Sequence, residues 1–100
     1  MAVTKILYGR LGKNPELRYT PKQEPVCYFS LAEIVSDHER PNWHDVVIWG
    51  KQAEHASVFL NKGCKVFVRG QNREREYRTI EGITKRCSSF IADDLGFLSF

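Results

Sequence analysis

Asn42-Trp43-His44-Asp45-Val46-Val47-Ile48-Trp49-Gly50-Lys51 is the stretch whose reading decides the fold. In an extended strand successive side chains point to opposite faces. Trp43, Asp45, Val47 and Trp49 therefore share one side, and His44, Val46 and Ile48 the other. The two valines and Ile48 give the run its strand character. A strand needs only one apolar face to join a core. The face with both tryptophans also carries Asp45 and runs into Lys51, which suits a surface that stays wet. Two large aromatics on such a face make a stacking platform for bases. The competing arrangement puts both tryptophans in the core.

Upstream, Lys5 to Leu11 alternates as a strand that ends at Gly9-Arg10-Leu11-Gly12. Asn14-Pro15 marks a turn, after which Glu16 to Thr20 resumes an extended course until Pro21 stops it. Thr20 to Pro25 is a polar, proline-bounded connector. Val26 to Val35 is the next strand, with Cys27, Phe29 and Leu31 on its apolar face and Tyr28, Ser30 and Ala32 facing the other way. A charged loop, Ser36 to Pro41, leads into the tryptophan strand.

Downstream the period changes. Lys51 to Lys62 places Ala53, Ala56, Phe59 and Leu60 on one side at helical spacing, with Gly63 where a left-handed cap is wanted. Cys64 to Tyr77 returns to alternation, and Glu81-Gly82 turns the chain into a last strand from Ile83 towards Leu98. The pattern predicts an all-β chain, residues 1–100 forming one domain. It is a five-stranded Greek-key barrel of the oligonucleotide-binding type, with one helix between the third and fourth strands and a long hairpin joining the last two.

Composition bounds the chemistry. One hundred residues make a single domain, and no apolar run approaches the ~20 residues that span a bilayer. No signal peptide opens the sequence, so a cytoplasmic location is expected. The net charge of +3 permits a polyanionic partner without demanding one. Cys27, Cys64 and Cys87 are odd in number and widely spaced; they are expected to be reduced and mostly buried, with no zinc site. His38, His44 and His55 show no metal-ligand spacing, and His44 faces away from Asp45. Catalysis and bound cofactors are therefore not expected. His44 is read as a histidine at the core edge, hydrogen-bonded locally.

Charge distribution says more than net charge. On the fourth strand Phe67, Arg69, Gln71, Arg73, Arg75 and Tyr77 share the outward face, while Val66, Val68 and Gly70 turn inward and Glu74 and Glu76 point away from the arginines. Guanidinium groups interleaved with aromatics suit a single nucleic-acid strand, the former meeting phosphates and the latter bases. A hairpin arm charged only for solubility is the alternative.

The run Gly9-Arg10-Leu11-Gly12-Lys13-Asn14-Pro15-Glu16-Leu17-Arg18-Tyr19 resembles the opening of the bacterial single-stranded DNA-binding protein family. Pro25 to Ala32, Trp43 to Lys51, Ala53 to Ser57 and Leu60 to Gly63 resemble it too, in order and at compatible spacing. The resemblance covers nearly the whole chain. It implies sequence-tolerant binding of single-stranded DNA in replication, recombination or repair, no catalysis, and a homo-oligomer, tetrameric or alternatively dimeric. By position it implies stacking on Trp43, Trp49 and Tyr77, where Trp49 replaces a phenylalanine of some members. It also sets Arg18, Lys51, Lys62, Arg73 and Arg75 near the DNA path; Phe67 and Arg69 join them from the strand-face reading.

There are departures. Asp37 and His38 stand where some members place a further tryptophan. Asp45 would repel phosphate from between the two tryptophans. The family's Gly/Pro/Gln-rich linker and acidic tip do not follow, and Asp93-Asp94-Leu95-Gly96-Phe97 is read as strand instead, leaving a tailless member or a truncated chain. A second reading is an adaptor like primosomal replication protein N, a small tailless relative that binds single-stranded DNA and partner proteins. RNA is a third candidate ligand, because stacking and backbone contacts separate the two sugars poorly.

Overall fold

The computed structural model describes residues 3–33 and 42–97. The expected loop 36–41 with Asp37 and His38, and the expected strand ends at Val35 and Leu98, lie outside the described residues. Six strand segments and one helix follow one another: β1 (Lys5–Leu11), β2 (Glu16–Tyr19), β3 (Pro25–Glu33), β4 (Asn42–Trp49), α1 (Lys51–Phe59), β5 (Lys65–Arg78) and β6 (Thr84–Phe97). β1 and β2 both run antiparallel to β3, β1 against its end (Leu11 opposite Leu31) and β2 against its start (Arg18 opposite Val26). They behave as one strand interrupted at the Gly12–Pro15 turn, which reconciles six segments with the five strands expected.

The pairings close on themselves. β1 lies beside β5, β5 beside β6, β6 beside β4, β4 beside β3, and β3 returns to β1. The β4–β6 pairing is the parallel one, short and limited to Val46–Ile48 against Phe90–Ala92. This ring is the oligonucleotide-binding fold. Among the described residues the β1–β3 pairing runs from Leu11–Leu31 to Gly9–Glu33, and Lys5 to Tyr8 pair with β5 alone.

The ring encloses an apolar core. Leu7, Leu11, Cys27, Phe29, Leu31, Val46, Ile48, Val66, Val68, Phe90 and Ala92 point inward, and α1 plugs the assembly with Ala53 and Ala56, followed by Leu60. These three are separated by multiples that bring them onto one stripe at 100° per residue. Phe59 falls about 120° away from Ala53 on the same wheel. It is accordingly 61% exposed, not on the core face as expected, and its ring meets His55 edge-on at 6.3 Å. The helix also ends sooner than expected, at Phe59. Gly63 does have a left-handed backbone, φ 90°, but in the turn after the helix, where its N–H donates to the Leu11 carbonyl.

β5 and β6 extend beyond the ring as a two-stranded arm, paired without a break from Gly70–Ala92 out to Arg78–Thr84. At the base of the arm the register shifts between Arg69 and Gly70. A side chain at Gly70 would collide with the backbone of Ile91 and Ala92, so this crossing requires glycine. The turn at the tip is closed by Thr79, whose N–H donates to the Ile83 carbonyl, and Gly82 supplies the positive φ of 85°.

All three cysteines are free, but their burial differs from the expectation: Cys27 is in the core, Cys64 half-buried and Cys87 exposed on the arm. Burial pushes the Cys27 thiol up to about 11. A thiol reagent at pH 8 should therefore modify Cys87 promptly and leave Cys27 untouched until denaturant is added, because the thiolate is the nucleophile. Because folding favours the neutral thiol, this group costs nothing below its ordinary pKa near 9 and lowers stability progressively as pH rises from there towards 11. Mass mapping of labelled peptides checks the first statement.

Candidate nucleic-acid interface

The outer face of β3 and β4 is built by register. Ala32 lies opposite Trp43, Ser30 opposite Asp45, Tyr28 opposite Val47 and Val26 opposite Trp49. Val46 and Ile48 occupy the core, which forces the alternate residues outward, and Trp43 and Trp49 are 59% and 45% exposed. Both tryptophans therefore belong to the surface. His44 sits at the core margin with its Nε2 2.9 Å from Glu33 Oε1, locally bonded as its position predicts and turned away from Asp45.

Three hollows lie in series along this face. In the first, Trp43 is flanked by Gly12, Lys13 and Ser30, and the benzo edge of its ring occupies the space that a Cβ at Gly12 would fill. The second shares Lys13 and Ser30 with the first and adds Asn14, Tyr28 and Asp45. The third shares Tyr28, Val47 and Ser89 with the second, and in it Trp49 faces Arg73 and Arg75 from the base of the arm. The arm residues reach this groove because Ile91 pairs with both Val47 of β4 and Gln71 of β5, which carries the β4 outer face onto the arm.

The arm separates its charges by face. Arg73, Arg75 and Tyr77 stand opposite Ser89, Cys87 and Lys85, so one face carries three cations and an aromatic. On the other face Glu76 is bonded to Arg86 at 3.1 Å. Among the described residues Arg73 and Arg75 enter no ion pair, which leaves their forks available to an external oxyanion.

The remaining candidates are placed differently. Arg18 is tied to Glu16 at 2.8 Å, and its guanidinium lies 5.6 Å from the centre of the Tyr28 ring. The hydrogen bond to Glu16 raises the Arg18 pKa further above an already high value. Lys62 follows the helix on a loop docked to the rim of the second hollow, its backbone N–H donating to Asn14 Oδ1 at 2.8 Å. Lys51 is exposed at the start of α1, directly after Trp49 and Gly50. Phe67 and Arg69 share the parity of Arg73 but lie nearer the ring, and neither lines the three hollows. Phe67 covers Gly96, and Arg69 is held by Asp93 at 2.9 Å and Asp94 at 3.8 Å.

Tyr28 was missed in the sequence as a candidate. It is 39% exposed, diagonal to Trp49, and common to the second and third hollows. Its position on the outward side of Val26–Val35 was the available signal. Lys85, opposite Tyr77, is the other addition.

A closed oligonucleotide-binding ring with an aromatic- and arginine-lined groove along its outer face defines a class of polyanion-binding barrels. Residues 3–98 match the sequence model of the single-strand binding protein family, and the chain belongs to that family. Two curated relatives, from Neisseria meningitidis serogroup A and serogroup B, each named single-stranded DNA-binding protein, are 38% identical over 100 residues, which is 93% of this chain and 58% of each relative. A protein of the same name from Xanthomonas campestris pv. campestris is 33% identical over the same shares of both chains. The chain thus spans 58% of the length of these relatives.

Proposed function

We propose that the chain binds single-stranded DNA with little regard to sequence, bases stacking on Trp43, Tyr28, Trp49 and Tyr77 and phosphates meeting Arg73, Arg75, Lys51 and Lys62. One observation carries this reading: Trp49, Tyr28, Arg73 and Arg75 converge on a single hollow that is open at the surface. Stacking surfaces beside unpaired guanidinium groups accommodate any base and any stretch of backbone. Arg69 and Arg18, already engaged by carboxylates, contribute less, and Phe67 stays with the scaffold. Family membership and the names of the relatives point the same way, towards single-stranded DNA, and the proposed setting is DNA replication, recombination or repair. Titration of tryptophan fluorescence tests it: saturating oligo-dT should quench the signal and duplex DNA should not. Unchanged fluorescence with oligo-dT would sink the reading.

Among the described residues Lys5 to Tyr8 pair on the β5 side only, with Ile6 and Tyr8 half-exposed; a strand edge of that kind pairs readily with another chain, which supports self-association. The proposed state is a homotetramer. Light scattering at micromolar concentration should give four times the 11.6 kDa chain mass, and a monomeric mass would end this idea.

A further inference from the structure

We propose that Asp45 makes the middle hollow a base-reading subsite that favours guanine over thymine, an inference that rests on the single-stranded DNA reading above. The hollow, about 300 Å³, lies between the two tryptophan sites and shares walls with both. A strand stacked at Trp43 and Trp49 must therefore pass a nucleotide over it. Its floor is the outward face of β3 and β4, where Asp45 stands opposite Ser30. Lys13 and Asn14 form the rim from the Gly12–Pro15 turn. Glu16 also borders the hollow, but its charge is paired with Arg18, which holds Oε1 at 2.8 Å. The ion pairs of the described residues leave Asp45 out, so it presents the hollow with a carboxylate that no cation neutralises.

A carboxylate in the path of a polyanion is costly if it meets phosphate. It becomes favourable if it meets donors, and unpaired bases present their Watson–Crick edges. Guanine offers N1–H and the N2 amino group side by side, which a carboxylate accepts in a bidentate contact. Cytosine and adenine offer a single amino group, and carboxylates accept from the cytosine N4 in the same way. Thymine offers one N3–H between two carbonyl oxygens, whose lone pairs repel the carboxylate. The expected order is guanine, then cytosine and adenine, then thymine. Because the hollow is open to water, the preference should sit at the low end for a bidentate contact, about fivefold between guanine and thymine.

The test compares oligo-dT with an oligo-dT of equal length interrupted by isolated guanines, and with one carrying hypoxanthine in their place, by competition titration on the full chain. The wild-type chain should bind the guanine oligonucleotide about fivefold tighter than oligo-dT, and hypoxanthine, which lacks the N2 amino group, should lose most of that gain. Asp45→Ala should bind the three alike. Asp45→Asn, whose amide donates as well as accepts, should raise thymine relative to guanine. Equal wild-type binding of guanine and thymine oligonucleotides overturns the assignment. So does an Asp45→Ala variant that binds everything tighter yet keeps the preference, since the carboxylate then only repels phosphate. Failure of every oligonucleotide to bind would instead remove the single-stranded DNA reading itself, and the subsite with it.

Discussion

Replacing Trp49 with alanine is expected to weaken binding of oligo-dT roughly five- to 150-fold, since stacking on an aromatic is worth about 1–3 kcal/mol per base by alanine substitution. Trp49 is the aromatic to test first because its ring borders the hollow that also holds Arg73 and Arg75, so a base stacked there has its phosphate within reach of both. Trp43 lies further along, its benzo edge already against Gly12, and its loss should fall lower in the same range. The fold should survive the change, because Trp49 is 45% exposed and its loss opens no cavity in the core. The salt dependence should also survive, since stacking releases few counterions. Titration at one salt concentration measures the first effect and a salt series the second. An affinity within twofold of wild type would remove Trp49 from the DNA path.

Much of this arrangement was legible in the sequence because β-strand parity is strict. Once Val46 and Ile48 are inside, Trp43 and Trp49 have to be outside, and the same rule set Arg73 and Arg75 on one face of the arm. What parity does not report is how far along a strand the environment changes. Phe67 and Arg69 have the parity of Arg73, yet the ring closes around them. Gly96, with no side chain, receives the Phe67 ring, and the register shift after Arg69 brings Asp93 and Asp94 to its guanidinium. That shift is a property of the pairing, visible in neither strand alone. Phe59 failed for a different reason: an i, i+3, i+7 stripe was already complete with Ala53, Ala56 and Leu60, and a fourth member at i+6 does not lie on it. Tyr28 went unnoticed because its importance comes from β4, through the diagonal neighbour Trp49.

The electrostatic half of binding is separable from the stacking half by its response to salt. For single strands log affinity falls against log salt with a slope of about −0.7 per neutralised phosphate. Arg73 and Arg75 carry the two guanidinium groups at the groove that enter no ion pair among the described residues, and the nearest carboxylates on their strand, Glu74 and Glu76, occupy the opposite face. Replacing both with alanine should flatten the slope by about 1.4 units. Referred to 1 M salt, where the counterion term vanishes, that loss is about tenfold in affinity at 0.2 M and about 70-fold at 0.05 M. It should be the same for every oligonucleotide sequence, because phosphate contacts carry no base information. Arg69→Ala is the internal comparison: with Asp93 and Asp94 already on its guanidinium, removing it should change the slope by much less than 0.7. The measurement is one salt series on three proteins. If the double variant kept the full slope, the phosphates would run elsewhere than beside Trp49, and the arm would be solvated scaffold.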